Sequence, residues 1–199
     1  MRKELFITIA AVAFIIFVQG KLNRMRVENA PGVIIVTNPE QKLLLVREGF
    51  KYEDVSISLL AEFSLDAMVL SKQRYYFGRA AKLAPFDLAL GWGPMSNPEV
   101  IKEIRISQGN RWYTYRYKIP PPIPHREISY HSSNMHLVAA TKEVADEIKN
   151  VRWGDIIHME GYLINIMSDD GWRWNSSLSR SDTGDGACEL VWVEKFSIE

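Results

Sequence analysis

At 199 residues the chain has room for one ordinary domain, or one domain plus an appendage, and its 47% apolar content supplies a sizeable core. A formal net charge of zero provides no long-range field to gather nucleic acid or an acidic substrate. One cysteine, Cys188, excludes any disulfide within the chain.

Arg2 and Lys3 precede an uncharged run over residues 5–20, LFITIAAVAFIIFVQG. As an α-helix this run measures about 24 Å, short of the ~30 Å hydrocarbon core unless Lys21, Arg24 and Arg26 snorkel at the far interface. A basic start and an apolar stretch also fit a secretory signal, with Val18 and Gly20 before the cut. Bulky Phe14, Ile15, Ile16 and Phe17 favour an uncleaved anchor instead, and the lack of a polar face disfavours a buried soluble helix. The expectation is a membrane anchor over residues 1–20 of a single-pass protein of the inner membrane. The short tail would lie inside and the domain outside the cytoplasm, although basic residues on both sides of the run do not decide orientation. Residues 21–32 are a basic, polar connector ending in Pro31-Gly32, and residues 33–199 form the domain.

Residues 33–37 and 42–47 read as strands around the turn-rich Asn38-Pro39-Glu40-Gln41. Residues 56–70 are mostly extended, with Phe63, Leu65, Ala67 and Val69 on one side and a helix as the alternative for the first half. Residues 75–83 read as short helical or irregular structure before Pro85. The stretch 85–98, PFDLALGWGPMSNP, has three prolines and two glycines, and reads as an apolar loop packed on the sheet. Residues 101–106 and 111–119 read as strands. Pro120-Pro121-Pro122 and Pro124 make a stiff connector crossing the surface of one domain.

Between residues 131 and 167 the pattern is clearest. Thr141 is an N-cap with Glu143 in the first turn, and Val144, Ile148 and Val151 recur at helical spacing, predicting a helix over 141–150. Gly154 follows it. From Asp155 the period becomes two, with Ile157 and Met159 alternating against Ile156, His158 and Glu160; Gly161 marks a bend or bulge. Asp169-Asp170-Gly171 predicts a hairpin turn, with a return strand over 172–178 and a third strand over 188–196. The fold class expected is α+β and β-rich: after the transmembrane helix, a rolled antiparallel sheet or small barrel with one or two short helices.

No motif assigns a reaction. His131 and His136 lie five apart, a spacing that points to opposite faces of a strand, so structural roles are favoured over a metal or acid-base site. For such a site the carboxylate partners would be Asp87 or Asp155. Cys188 sits in an alternating strand pattern, where core packing outweighs nucleophilic use. Asp182-Thr183-Gly184 matches the aspartic-protease triplet, yet follows a polar segment and occurs once; it also falls short of a calcium loop, and reads as a turn. Residues 111–117 and 172–174 interleave basic and aromatic side chains, which is more often cross-strand packing than a nucleic-acid surface. Asn175-Ser176-Ser177 meets the glycosylation pattern and decides nothing.

The strings DLALGWGPMS (87–96), HSSNMH (131–136), GDIIHMEGYL (154–163) and DTGDGACELVWVE (182–194) together resemble a family of uncharacterised bacterial proteins with an N-terminal membrane segment. That resemblance spans about residues 55–195 and implies no established activity. The last third also resembles an oligonucleotide/oligosaccharide-binding (OB) barrel in its order of elements. The function expected is a non-enzymatic envelope domain binding a partner protein or envelope polymer, without cofactor, metal or nucleic acid. Its contacts would be Trp92, Trp172, Arg173 and Trp174. The alternative is an extracytoplasmic metal-dependent or acid-base hydrolase using His131 and His136 with Asp87 or Asp155.

Overall fold

The structure, a computed structural model, describes residues 27–46, 48–179 and 188–199. The apolar run expected to anchor the chain and the Asp182-Thr183-Gly184 triplet both lie outside the described residues. Among the described residues no helix is long and apolar enough to cross a membrane.

Strands β1 (Glu40–Leu43) and β2 (Gly49–Tyr52) lead into β3 (Val55–Arg74), which runs for 20 residues. Helix α1 (Arg79–Leu83) and β4 (Phe86–Gly91) come next, then a 3-10 turn (Gly93–Ser96) and α2 (Pro98–Glu103). β5 (Ile104–Gly109) and β6 (Trp112–Tyr117) form a separate hairpin. After α3 (His125–Tyr130) come β7 (Ser132–Ala139), α4 (Lys142–Asn150), β8 (Ile156–Ser168), β9 (Arg173–Asn175) and β10 (Glu189–Ile198).

The pairings run β3 to β4, β4 to β7, β7 to β10 and β10 to β8, and β8 returns to β3, so these strands form a closed ring. β7 and β10 are parallel, because α4 and β8 carry the chain back between them; the other pairings in the ring are antiparallel. The fold is β-rich α+β as expected. Its sheet is mixed rather than antiparallel, and four α-helices are described where one or two were expected.

β3 follows the ring because its register shifts twice, between Leu59 and Ala61 and between Val69 and Ser71, and each shift bends the strand. The first also exchanges faces. Phe63, Leu65 and Ala67 pack inside with Leu88, Leu137 and Met159, whereas Val55 and Ile57 join Ile164, Ile166 and Leu190 in a second cluster. The irregularity expected at Gly161 falls on its partner: β10 is bulged between Val193 and Lys195. A Cβ on Gly161 would stand 1.9 Å from the Trp192 carbonyl oxygen, so only glycine lets the strands approach there.

α4 begins one residue after its expected cap, Thr141, whose hydroxyl accepts from the Val144 amide at 3.3 Å. Three local expectations are corrected. Residues 86–91 are a fully buried central strand, not a loop, with the prolines and Gly93 outside its ends. Residues 98–103 are helical because the Asn97 side chain caps the Glu99 amide and Pro98 fits the first turn. Residues 33–37 form no strand: the Ile34 and Ile35 amides donate to the Ser96 hydroxyl instead.

Candidate functional site

Phe86, Leu88, Leu90, Met135 and Leu137 of β4 and β7 point inward, and on the outward side Ser132, Asn134, His136 and Asp87 sit together beside apolar Ala89 and Val138. None of the four meets solvent appreciably, because the β5–β6 hairpin lies across them. The Tyr113 hydroxyl sits 3.1 Å from the Ser132 hydroxyl, and Gln108 Nε2 donates to Asn134 Oδ1 at 2.6 Å. Burial pushes the Tyr113 phenol up to about 12.

Arg111 at the hairpin tip fastens the arrangement. Its guanidinium donates to Asp87 Oδ1 at 2.5 Å and to the Ala84 carbonyl at 2.9 Å, and lies 3.9 Å from the Tyr75 ring centroid. The backbone of Asn110 and Arg111 is left-handed, with φ of 51° and 68°, as a tight two-residue hairpin turn requires. Glycine would be easier there than arginine. The Arg111 amide, donating to the Tyr75 hydroxyl at 2.9 Å, helps hold the conformation.

His136 faces Asp87 across the strand pair, with Nδ1 2.9 Å from Asp87 Oδ1 and its ring 4.9 Å from that of Trp174. The alignment does not make a hydrogen bond, and His136 Nδ1 and Asp87 Oδ2 are buried atoms without a hydrogen-bond partner. Thus two of the residues expected to share a site are together, and two are elsewhere. His131 ends α3 with Nδ1 3.0 Å from the Glu127 carbonyl. Asp155 closes the α4–β8 turn, accepting from the Arg152 amide at 2.7 Å.

Of the expected contact residues, Trp92 is 1% exposed in the core and does not reach the surface. Trp172 and Trp174 are half-buried neighbours, 6.1 Å between centroids, with Arg79 over Trp172. Arg173 between them is exposed. Among the described residues no three His, Cys, Asp or Glu side chains are grouped to hold a metal ion.

An open concavity lies on the other flank of the hairpin. A groove of about 610 Å³ runs between the end of β3, β5 and the α4–β8 turn, over a floor that includes Leu70, Ile104 and Val151. Lys72, Arg74, Arg105, Lys149 and Arg152 line it, and among the described residues no carboxylate does, although Asp155 lies behind Arg152 at 3.4 Å. Phe86, Tyr76 and Trp153 add aromatic faces; Lys72 Nζ is 4.6 Å from the Phe86 centroid and the Arg74 guanidinium 4.7 Å from that of Tyr76. Lys72 also donates to the Lys149 and Val151 carbonyls, closing the C-terminal end of α4. Burial lowers its pKa to about 8.

The sequence did carry a signal for this groove. Residues 71–76, SKQRYY, and 149–153, KNVRW, are both basic and aromatic without an acidic residue. What juxtaposes them is the β3–β8 pairing.

No family model, no curated protein and no solved structure matches this chain.

Proposed function

We propose that this chain is a membrane-anchored envelope domain that binds an anionic partner rather than transforming a substrate, and that the groove beside β5 is where it binds. The anchor is residues 5–20, and the domain stands outside the cytoplasm on the inner membrane. The ring of strands, with its one parallel pairing and a helix between the third and fourth strands, has the strand order of an OB-like barrel. In such barrels ligands commonly use the face of the second and third strands. Here those are β4 and β7, and the hairpin occupies that face.

The observation that carries the reading is the groove's lining: five cationic side chains, aromatic faces and, among the described residues, no carboxylate, in a molecule of zero net charge. Full-length protein in neutral detergent, titrated with labelled polyphosphate, should bind with an affinity that falls as salt is raised. Arg105→Glu and Arg152→Glu should each weaken binding about fivefold or more. Equal affinity in the wild type and both variants would reject the groove.

One observation favours the hydrolase alternative, in the form of His136 with Asp87: both present a buried polar atom without a hydrogen-bond partner. That reading requires a reactant or metal to enter between Arg111 and Trp174. About one equivalent of metal in the purified protein, absent from His136→Ala, would establish it. A variant changed only in thermal stability supports the binding domain.

A further inference from the structure

We infer that the anionic partner of the groove is the headgroup layer of the bilayer that the chain's own leading segment enters, so that the domain rests on the membrane by its Trp153 corner. This inference rests on the reading of the groove as an anion-binding surface.

The path of the chain is the first reason. The Val27 amide donates to the Trp153 carbonyl at 2.8 Å, and Asn29 Nδ2 donates to the Gly154 carbonyl at 2.7 Å. Gly154 has a φ of 92°, and a Cβ there would stand 2.3 Å from the Val27 carbonyl oxygen, so the connector is packed tightly on this turn. Arg152 and Trp153 of the same turn rim the groove. Gly20, the last residue of the apolar run, is seven positions before Val27, a reach of at most about 25 Å. Any soluble anion on this corner would therefore compete with a bilayer held beside it by the tether.

Surface chemistry is the second. Tyr76, Phe77 and Trp153 are 68%, 93% and 39% exposed at the groove's rim or next to it. Basic side chains beside exposed aromatic ones are what the interfacial layer of an anionic membrane accommodates. Another exposed apolar set, Leu43, Leu45 and Val46, lies at and just after the end of β1, which pairs with residues 61–64 of β3. That is roughly 30 Å away along the strand.

The test uses the full chain in nanodiscs of phosphatidylcholine, with and without phosphatidylglycerol, read by hydrogen exchange. Segments 71–77, 101–106 and 149–153 should gain protection only in the anionic discs. Arg105→Glu and Arg152→Glu should reduce that gain about fivefold per charge removed, whereas Arg105→Lys keeps it. Arg105 is exposed, whereas Arg152 is exposed but also pairs with the buried Asp155 at 3.4 Å, so the Arg105 variant, with unchanged melting, is the deciding one. Equal exchange in the two discs, protection confined to 40–46, or a chain that does not stay with the discs would overturn the inference. Adding polyphosphate to the neutral discs separates the two readings. If it protects the groove while phosphatidylglycerol does not, the anion site stands and the membrane contact falls; if neither protects, both fall.

Discussion

Asp87 has its carboxylate fully buried, and Arg111 supplies the positive charge that makes this tolerable. Removing one member of a buried pair leaves the other desolvated without compensation, which typically costs about 3–5 kcal/mol. Asp87→Ala should therefore lower unfolding stability by that order in a urea titration, and loosen the hairpin that Arg111 pins. His136→Ala removes an imidazole that makes no aligned hydrogen bond at Nδ1, and should cost less, about 1–3 kcal/mol, mainly through lost packing on Trp174. A reversed order of the two effects would mean that the histidine, not the arginine, compensates Asp87.

A second residue-scale consequence concerns pH. His158 lies 2.6 Å from Asp66 and 3.1 Å from Glu160, and these two hydrogen-bonded carboxylates raise its pKa above the ordinary 6.5. Because the folded value is the higher one, the stabilisation is complete below about pH 6.5 and is lost as pH rises through the raised value. Melting temperature should fall across that window in the wild type, and His158→Gln should flatten the fall. An identical pH profile for the two proteins would show that the cluster contributes nothing to stability.

At the scale of elements, what could be read in advance was what local chemistry decides. The helix α4 carries its own cap, first-turn acid and apolar stripe, and Thr141→Ala should cost about 1 kcal/mol, measurable by denaturant unfolding. β8 carries its own alternation. β4 does not: six consecutive buried residues lack a polar face because both sides of that strand are covered, inside by the core and outside by the hairpin. β3 was legible as mostly extended over residues 56–70, but not as one strand from Val55 to Arg74, since its two register shifts interrupt the period that identifies a strand. Asp87 and His136 were named as candidates, but only the β4–β7 register makes them neighbours. Nothing local announced that Arg111 would close over them. Gly161 is the instructive intermediate case, where the residue was legible and its reason was not. Its missing side chain makes room for the bulged partner strand, so Gly161→Ala should disrupt β8–β10 pairing and cost roughly 3 kcal/mol or more. Ordinary stability in that variant would mean that β10 can relax around a methyl group.

For the whole molecule, the decisive feature is an uneven distribution of charge in a chain that is neutral in sum. Among the described residues the groove lining has five cations and no carboxylate, with Asp155 behind Arg152 at 3.4 Å, whereas Glu40, Glu62, Glu160 and Glu194 outnumber Lys42 and Lys195 where β1, β3, β8 and β10 adjoin. Such a molecule has little net pull toward an anionic surface, but it has an orientation once something holds it there. The proposed anchor supplies the hold and the groove the orientation, and the two should respond differently to solvent. Concentrated salt, at about 1 M, shortens the Debye length to roughly 3 Å and so weakens the groove contact between exposed charges. It does not weaken burial of an apolar run, which depends on area removed from water. Membranes bearing the full chain should therefore keep it through both concentrated salt and an alkaline carbonate wash, while the exchange protection of the groove is lost in salt and regained on dilution. Release of the protein by salt alone would show that the charged surface carries the whole attachment and that residues 5–20 do not anchor it.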